Sequence, residues 1–233
     1  MTKVILITGT RKGIGEALVR HYLALGHTVI GCSREDGSIT HDAYRHFCLD
    51  VTDETAVVSM VRSVKKEFGK LDVLINNAGI ASMNHFLTTP LSTMERVFRV
   101  NVLGTALMMR ECGKVMMKQE RGRIINFTTV ASPLHLEGEA IYASAKAAIE
   151  NLTQTTAKEL SIYGITVNAI GPTPIQTDLI KAIPQEKIDA LIEKQTLKRL
   201  GTFDDITHVI DFFIDEKSDF LTGQILYLGG VSR

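Results

Sequence analysis

The chain has 233 residues, 45 % of them hydrophobic, which suits one α/β domain with a sizeable core and excludes a disordered or fibrous chain. Lys plus Arg and Asp plus Glu balance at 26 each, so no net field draws it to nucleic acid or an anionic membrane, and a small-molecule partner is expected. Three widely spaced cysteines (Cys32, Cys48 and Cys112) suit neither a disulfide framework nor a zinc site, which points to reduced, mostly buried thiols in a cytoplasmic protein.

Taken in chain order, short β-branched runs alternate with longer helical stretches. The first run, Val4–Thr8, leads through Gly9-Thr10-Arg11-Lys12-Gly13-Ile14-Gly15 into a helical pattern over Gly13–Leu25. Strands follow at Thr28–Ser33 and His46–Asp50. Only about ten residues separate them, near the minimum for a parallel crossover, so an abbreviated connection without a full helix is expected there. A helix over Glu54–Phe68 precedes the strand Val73–Asn76, and a long one over Leu91–Met117 precedes Arg123–Thr128. A helix over Tyr142–Ile162, a strand at Thr166–Ile170, a helix at Asp204–Ile214 and a last strand at Gln224–Leu228 complete the series. Nearly continuous hydrophobicity marks the runs as strands buried on both faces. The pattern predicts a single-domain doubly wound parallel sheet of Rossmann type, with helices on both faces. The long segment Pro172–Gly201 holds three of the five prolines; within it residues 173–200, carrying Leu179, Ile180, Ile183, Ile188, Leu191 and Ile192, read as a substrate lid with one or two short amphipathic helices. No apolar run reaches the length of a membrane span and no signal peptide is expected at the N-terminus.

The glycines after the first strand let the backbone turn tightly and approach a pyrophosphate at a helix N-terminus. Three residues separate Gly9 from Gly13, not the one of G-x-G-x-x-G. Further along, Tyr142 and Lys146 stand at i and i+4, on one face of the predicted helix. A free phenol titrates near pH 10, too high for efficient acid–base work, and a neighbouring ammonium should lower it.

The motif Thr8-Gly9-x-x-x-Gly13-Ile14-Gly15 resembles that of the short-chain dehydrogenase/reductases, and the resemblance runs through most of the chain. Asp50-Val51, Asn76-Asn77-Ala78-Gly79, Asn101, Tyr142-x-x-x-Lys146 and Pro172 with Thr177 follow in that family's order. The resemblance implies catalytic roles for Asn101, Tyr142 and Lys146. It implies a third at Thr129, thirteen residues before the tyrosine, where the family usually has Ser. It further implies cofactor contacts at Gly9, Arg11, Lys12, Gly13, Ile14, Gly15, Ser33, Arg34, Asp50, Val51, Asn77, Ala78, Gly79, Pro172, Ile175 and Thr177, besides Tyr142 and Lys146. His135 and Glu137, between Thr129 and Tyr142, are candidate substrate contacts.

An acidic residue at the end of the second strand usually binds a free ribose, whereas a 2′-phosphate needs a cation. Here the acidic position holds Ser33, and Arg34 and Lys12 are the cations, so NADP(H) is the expected cofactor. His85, His135 and His208 have no ligand spacing, and no metal is expected. The resemblance is strongest to 3-oxoacyl-acyl-carrier-protein reductases, notably in Gln195–Gly201 and Leu221–Gln224. Those enzymes commonly present cations to their acidic carrier at the places held here by Glu120 and Tyr163. The expected function is therefore an NADP(H)-dependent interconversion of a carbonyl and an alcohol on a small molecule, by a homodimer or homotetramer. Carrier-linked 3-oxoacyl reduction and a catalytically weak nucleotide-binding sensor or scaffold are the alternatives.

Overall fold

In the computed structural model, residues 2–175 and 185–232 are described. Seven strands form one parallel sheet in the order β3-β2-β1-β4-β5-β6-β7. They are β1 (Val4–Thr8), β2 (Thr28–Ser33), β3 (Tyr44–Cys48), β4 (Val73–Asn76), β5 (Gly122–Phe127), β6 (Ile165–Gly171) and β7 (Ile225–Tyr227). Eight α-helices accompany them among the described residues: α1 (Gly13–Ala24), α2 (Glu54–Phe68), α3 (Leu91–Phe98), α4 (Thr105–Lys118), α5 (Ala131–Leu134), α6 (Ala140–Leu160), α7 (Gln185–Lys194) and α8 (Phe203–Ile214). This is the doubly wound Rossmann-type sheet that the alternating runs imply.

Two apolar layers sandwich the sheet. On one side Val57, Met60 and Val61 of α2 pack with Met108, Cys112 and Met116 of α4. On the other, Leu18, Val19 and Tyr22 of α1 meet Ile206, Ile210 and Phe213 of α8. The helix ends are fixed locally. Asp53 accepts the Ala56 N–H at 3.0 Å to start α2, and Gly69 closes it in the left-handed conformation. Thr202 and Asp205 form a reciprocal capping box at α8.

Two elements differ from the sequence reading for physical reasons. β3 starts and ends two residues earlier, because Asp50 takes the Thr52 N–H at 2.8 Å and turns the chain out of the sheet. The helix read as Leu91–Met117 is not regular: a π-helical turn over Arg99–Gly104 interrupts it and carries Asn101. Cys48 is exposed, while Cys32 and Cys112 are buried as expected. The β2–β3 connection has no helix, as its length required. No helix of the described residues is long and apolar enough to cross a membrane.

Candidate active site

Strand order reverses between β1 and β4, and the crevice at their carboxyl ends is where such sheets receive ligands. Asn77, just past β4, bridges the reversal: its Nδ2 donates to the main-chain oxygens of Thr8 at 2.9 Å and Gly9 at 3.2 Å. Ala78 N–H donates to the Thr8 hydroxyl at 2.9 Å. The β1–α1 turn is thereby held by the N-N-A-G segment across 70 residues of sequence. Gly9 has φ +74, and a Cβ on Gly15 would lie 2.2 Å from the Gly9 oxygen, so this turn admits only glycine. Its main chain, at the head of α1, offers the close approach and N–H groups that a pyrophosphate requires.

A single cleft runs over these strand ends. Gly9, Arg11, Lys12, Gly13, Ile14, Ser33, Arg34, Asp50, Val51, Asn77, Ala78 and Gly79 line it, with Thr129, Tyr142, Lys146, Pro172 and Ile175 further along. Gly15 and Asn101 lie behind its wall, and Thr177 falls outside the described residues. Glu137 lines the cleft and His135 does not; the latter takes a left-handed φ of 48 instead.

At the ribose end, Arg11 pairs with Glu35. Among the described residues no ion pair engages Lys12 or Arg34, which leaves two uncommitted cations beside Ser33. The Ser33 hydroxyl donates to the Glu35 carbonyl at 2.7 Å and contacts His46 Nε2 at 2.8 Å, so it faces the protein and not a ligand.

At the far end, α6 sets Tyr142 one turn before Lys146, and β5 delivers Thr129. Lys146 is buried, donates to the Phe127 carbonyl at 2.7 Å and stands 6.0 Å from the Tyr142 ring centre. Burial holds its ammonium down to about 8. The Tyr142 phenol is pushed up to about 12, by burial first and by the Glu139 charge second, against a hydrogen bond from Thr129. The sequence reading expected Lys146 to lower this value; instead loss of water and the Glu139 charge raise it, and Lys146 is not among its causes.

Thr128 lines the cleft beside Thr129, but its hydroxyl is committed to the buried Glu150, to which it donates at 2.5 Å. Asn101 gives both ends of its amide to Ile80, accepting at 2.8 Å and donating at 2.9 Å. Sequence reasoning missed Glu139 and Glu150. Each is a helix-spaced neighbour of Tyr142 or Lys146, three before the one and four after the other.

The cleft fits a dinucleotide: a glycine-only turn at a helix N-terminus, free cations at the ribose end, and a phenol–ammonium pair at the other. Residues 9–231 match a family profile described as Enoyl-(Acyl carrier protein) reductase. Over 234 residues the chain is 30% identical to the 3-oxoacyl-[acyl-carrier-protein] reductase FabG of Salmonella typhimurium, covering 98% of this chain and 96% of the relative. Among solved structures it is similar to ElxO with NADP bound, at TM-score 0.91 and 31% identity over 99% of this chain and 98% of that one. It is also similar to a short chain dehydrogenase from Leptospira borgpetersenii with bound NAD+, at TM-score 0.90 and 27% identity over 99% and 92%. Sequence, fold and site agree that the chain belongs to the short-chain dehydrogenase/reductase family and is an oxidoreductase of that family.

Proposed function

We propose that this protein interconverts a small-molecule carbonyl and its alcohol with NADP(H), using Tyr142 as general acid and base. The observation that carries the reading is the meeting of the Thr129 hydroxyl, the Tyr142 phenol and the Lys146 ammonium on one wall of the cleft. NADPH, when bound, supplies the hydride and NADP+ accepts it. In reduction the substrate oxygen rests between Thr129 and Tyr142, and Tyr142 gives it the phenolic proton. Lys146 offers its remaining N–H donors to the cofactor ribose and stabilises the phenolate left behind. Asn101 is a positioning residue: both ends of its amide hold the main chain of Ile80 at the cleft, beside the proton relay.

NADP(H) is favoured over NAD(H) because Lys12 and Arg34 are uncommitted cations where a 2′-phosphate would lie. Relatives with either cofactor share the fold, so this chain's own charges decide. Of residues 173–200, read as a substrate lid, 176–184 lie outside the described residues; Ile188 and Leu191 of α7 line the cleft and support that reading. Carrier-linked 3-oxoacyl reduction, which the FabG relatives suggest, finds less support in the surface. Of Arg121 and Lys118, which could replace the carrier-facing cation absent at Glu120, Arg121 is paired with Glu216 at 2.7 Å. We further infer a cytoplasmic homodimer or homotetramer, for which the three free cysteines and the exposed Leu103 beside α4 are the supports.

A panel of ketones, aldehydes and alcohols, followed at the NADPH absorbance with Tyr142→Phe as control, tests the reading. A substrate turned over by the parent and not by Tyr142→Phe supports it. Binding of NADPH with no turnover across the panel favours the sensor or scaffold.

A further inference from the structure

Asp36, His46 and Cys48 come from the far edge of the sheet, outside the reaction centre. His46 and Cys48 are two apart in β3 and share a face of that edge strand. The abbreviated β2–β3 connection folds Asp36 over them. Its Oδ1 lies 3.2 Å from Cys48 Sγ and 3.8 Å from His46 Nδ1, and the three ligand atoms all fall within 4.8 Å of one another.

The hydrogen bonding around His46 defines which nitrogen is available. Ser33 has one hydroxyl hydrogen, and it goes to the Glu35 carbonyl at 2.7 Å. Toward His46 Nε2, at 2.8 Å, Ser33 can therefore only accept, so Nε2 carries the proton. Nδ1 is left with a bare lone pair; it is buried and has no hydrogen-bond partner. It faces the Asp36 carboxylate, an acceptor opposite an acceptor, which is a juxtaposition that a cation resolves. A second-sphere partner on one imidazole nitrogen, fixing the other for a metal, is the usual construction of such sites.

We propose that Asp36, His46 and Cys48 form a site for a borderline-soft divalent cation of the Zn2+ class. Carboxylate, imidazole and thiolate match that ion's preferences, and metal–ligand distances of about 2.0–2.3 Å need only small closures of the present spacing. On binding, the Cys48 S–H proton leaves to solvent and a thiolate–metal bond forms. One carboxylate and one thiolate then neutralise the dication. The exposed Asp36 leaves the fourth position to water. The sequence reading expected no metal because the cysteines are far apart; the partners of Cys48 are a histidine two residues away and an aspartate from a loop twelve residues upstream.

Titration of the full-length, tag-free, reduced protein with cobalt(II) chloride tests the site. The expected result is one ion per chain, with visible d–d bands of a four-coordinate ion and a near-ultraviolet thiolate-to-cobalt transition, both erased by added Zn2+. Cys32 and Cys112 are buried, so the thiolate transition reports Cys48. Cys48→Ser should remove it, and Ser33→Ala should weaken binding about tenfold or more by releasing the imidazole. Circular dichroism of each variant checks that it is folded. Absence of the transition in the parent, or its survival in folded Cys48→Ser, overturns the proposal.

Discussion

Lys146 Nζ donates to the main-chain carbonyl of Phe127 at 2.7 Å, so the last residue of β5 anchors the ammonium that α6 brings into the cleft. One donor is fixed in the protein and two remain for a ligand. No carboxylate is among the causes of its perturbation; burial alone holds it down to about 8.

That value sets a pH window. A base whose pKa is lowered carries its charge below the folded value and loses it above. Lys146 is thus an ammonium near pH 7 and largely neutral above about pH 9. If the charge helps hold the cofactor ribose, NADPH affinity should fall as pH rises through about 8. Lys146→Met, with no charge to lose, should bind more weakly and show a flat profile. Calorimetric titrations across this range check both, and a flat parental profile would reject the role.

Tyr142→Phe removes only the transferable proton. Turnover should fall by at least about a hundredfold, the scale of general acid–base catalysis, while NADPH affinity stays within about twofold. A variant that kept most of the parental rate on a confirmed substrate would show that another group is the acid.

Glu139 lies three residues before Tyr142, and its charge is the second cause raising the phenol. In alcohol oxidation Tyr142 must act as phenolate, so rate should rise with pH. Glu139→Gln removes a negative neighbour, favours phenolate and should move that rise to lower pH. Rate against pH for oxidation in both proteins gives the answer; an unmoved or upward-shifted profile contradicts the electrostatic link.

Cofactor choice rests on three cations treated differently by the fold. Arg34 and Lys12 are uncommitted, whereas Arg11 is held by Glu35. The parent should bind NADPH more tightly than NADH, and Arg34→Asp should narrow or reverse the difference. Glu35→Gln frees Arg11 and should widen it. Paired calorimetric titrations of the two cofactors decide, and equal affinities in the parent would remove the argument.

The sheet was legible from the sequence because strands buried on both faces read as unbroken apolar runs, and six of the seven fall within one residue of their expected ends. Edge strand β3 was displaced because its Tyr-Arg-His-Phe-Cys run is half-solvated and ends in a turn made by a side chain, which hydrophobicity cannot register. The π-turn at Asn101 left no compositional trace; it depends on the amide's two bonds to Ile80, 21 residues away. The upward displacement of the Tyr142 phenol was likewise beyond spacing arguments, since it comes from loss of water at the cleft wall and from the Glu139 charge.

Thr129 is where this chain departs from its family at the chemistry itself. Its oxygen accepts the Ala131 N–H at 3.2 Å, and its hydroxyl is in hydrogen-bonding reach of the Tyr142 phenol. The backbone contact fixes the side chain, so the hydroxyl stands ready to shift from the phenol to a substrate oxygen. Thr129→Ser keeps that donor and drops a methyl group that restricts χ1, so activity should be retained or raised. Thr129→Val keeps the shape and removes the donor. An oxyanion developing beside Tyr142 then lacks one partner, a loss that costs about a hundredfold or more in rate. Kinetics of both variants on one substrate, with NADPH affinity measured alongside, separate a donor from a packing residue. A Val variant with the parental rate and affinity would assign Thr129 to packing, because the only property it has lost is the hydrogen bond.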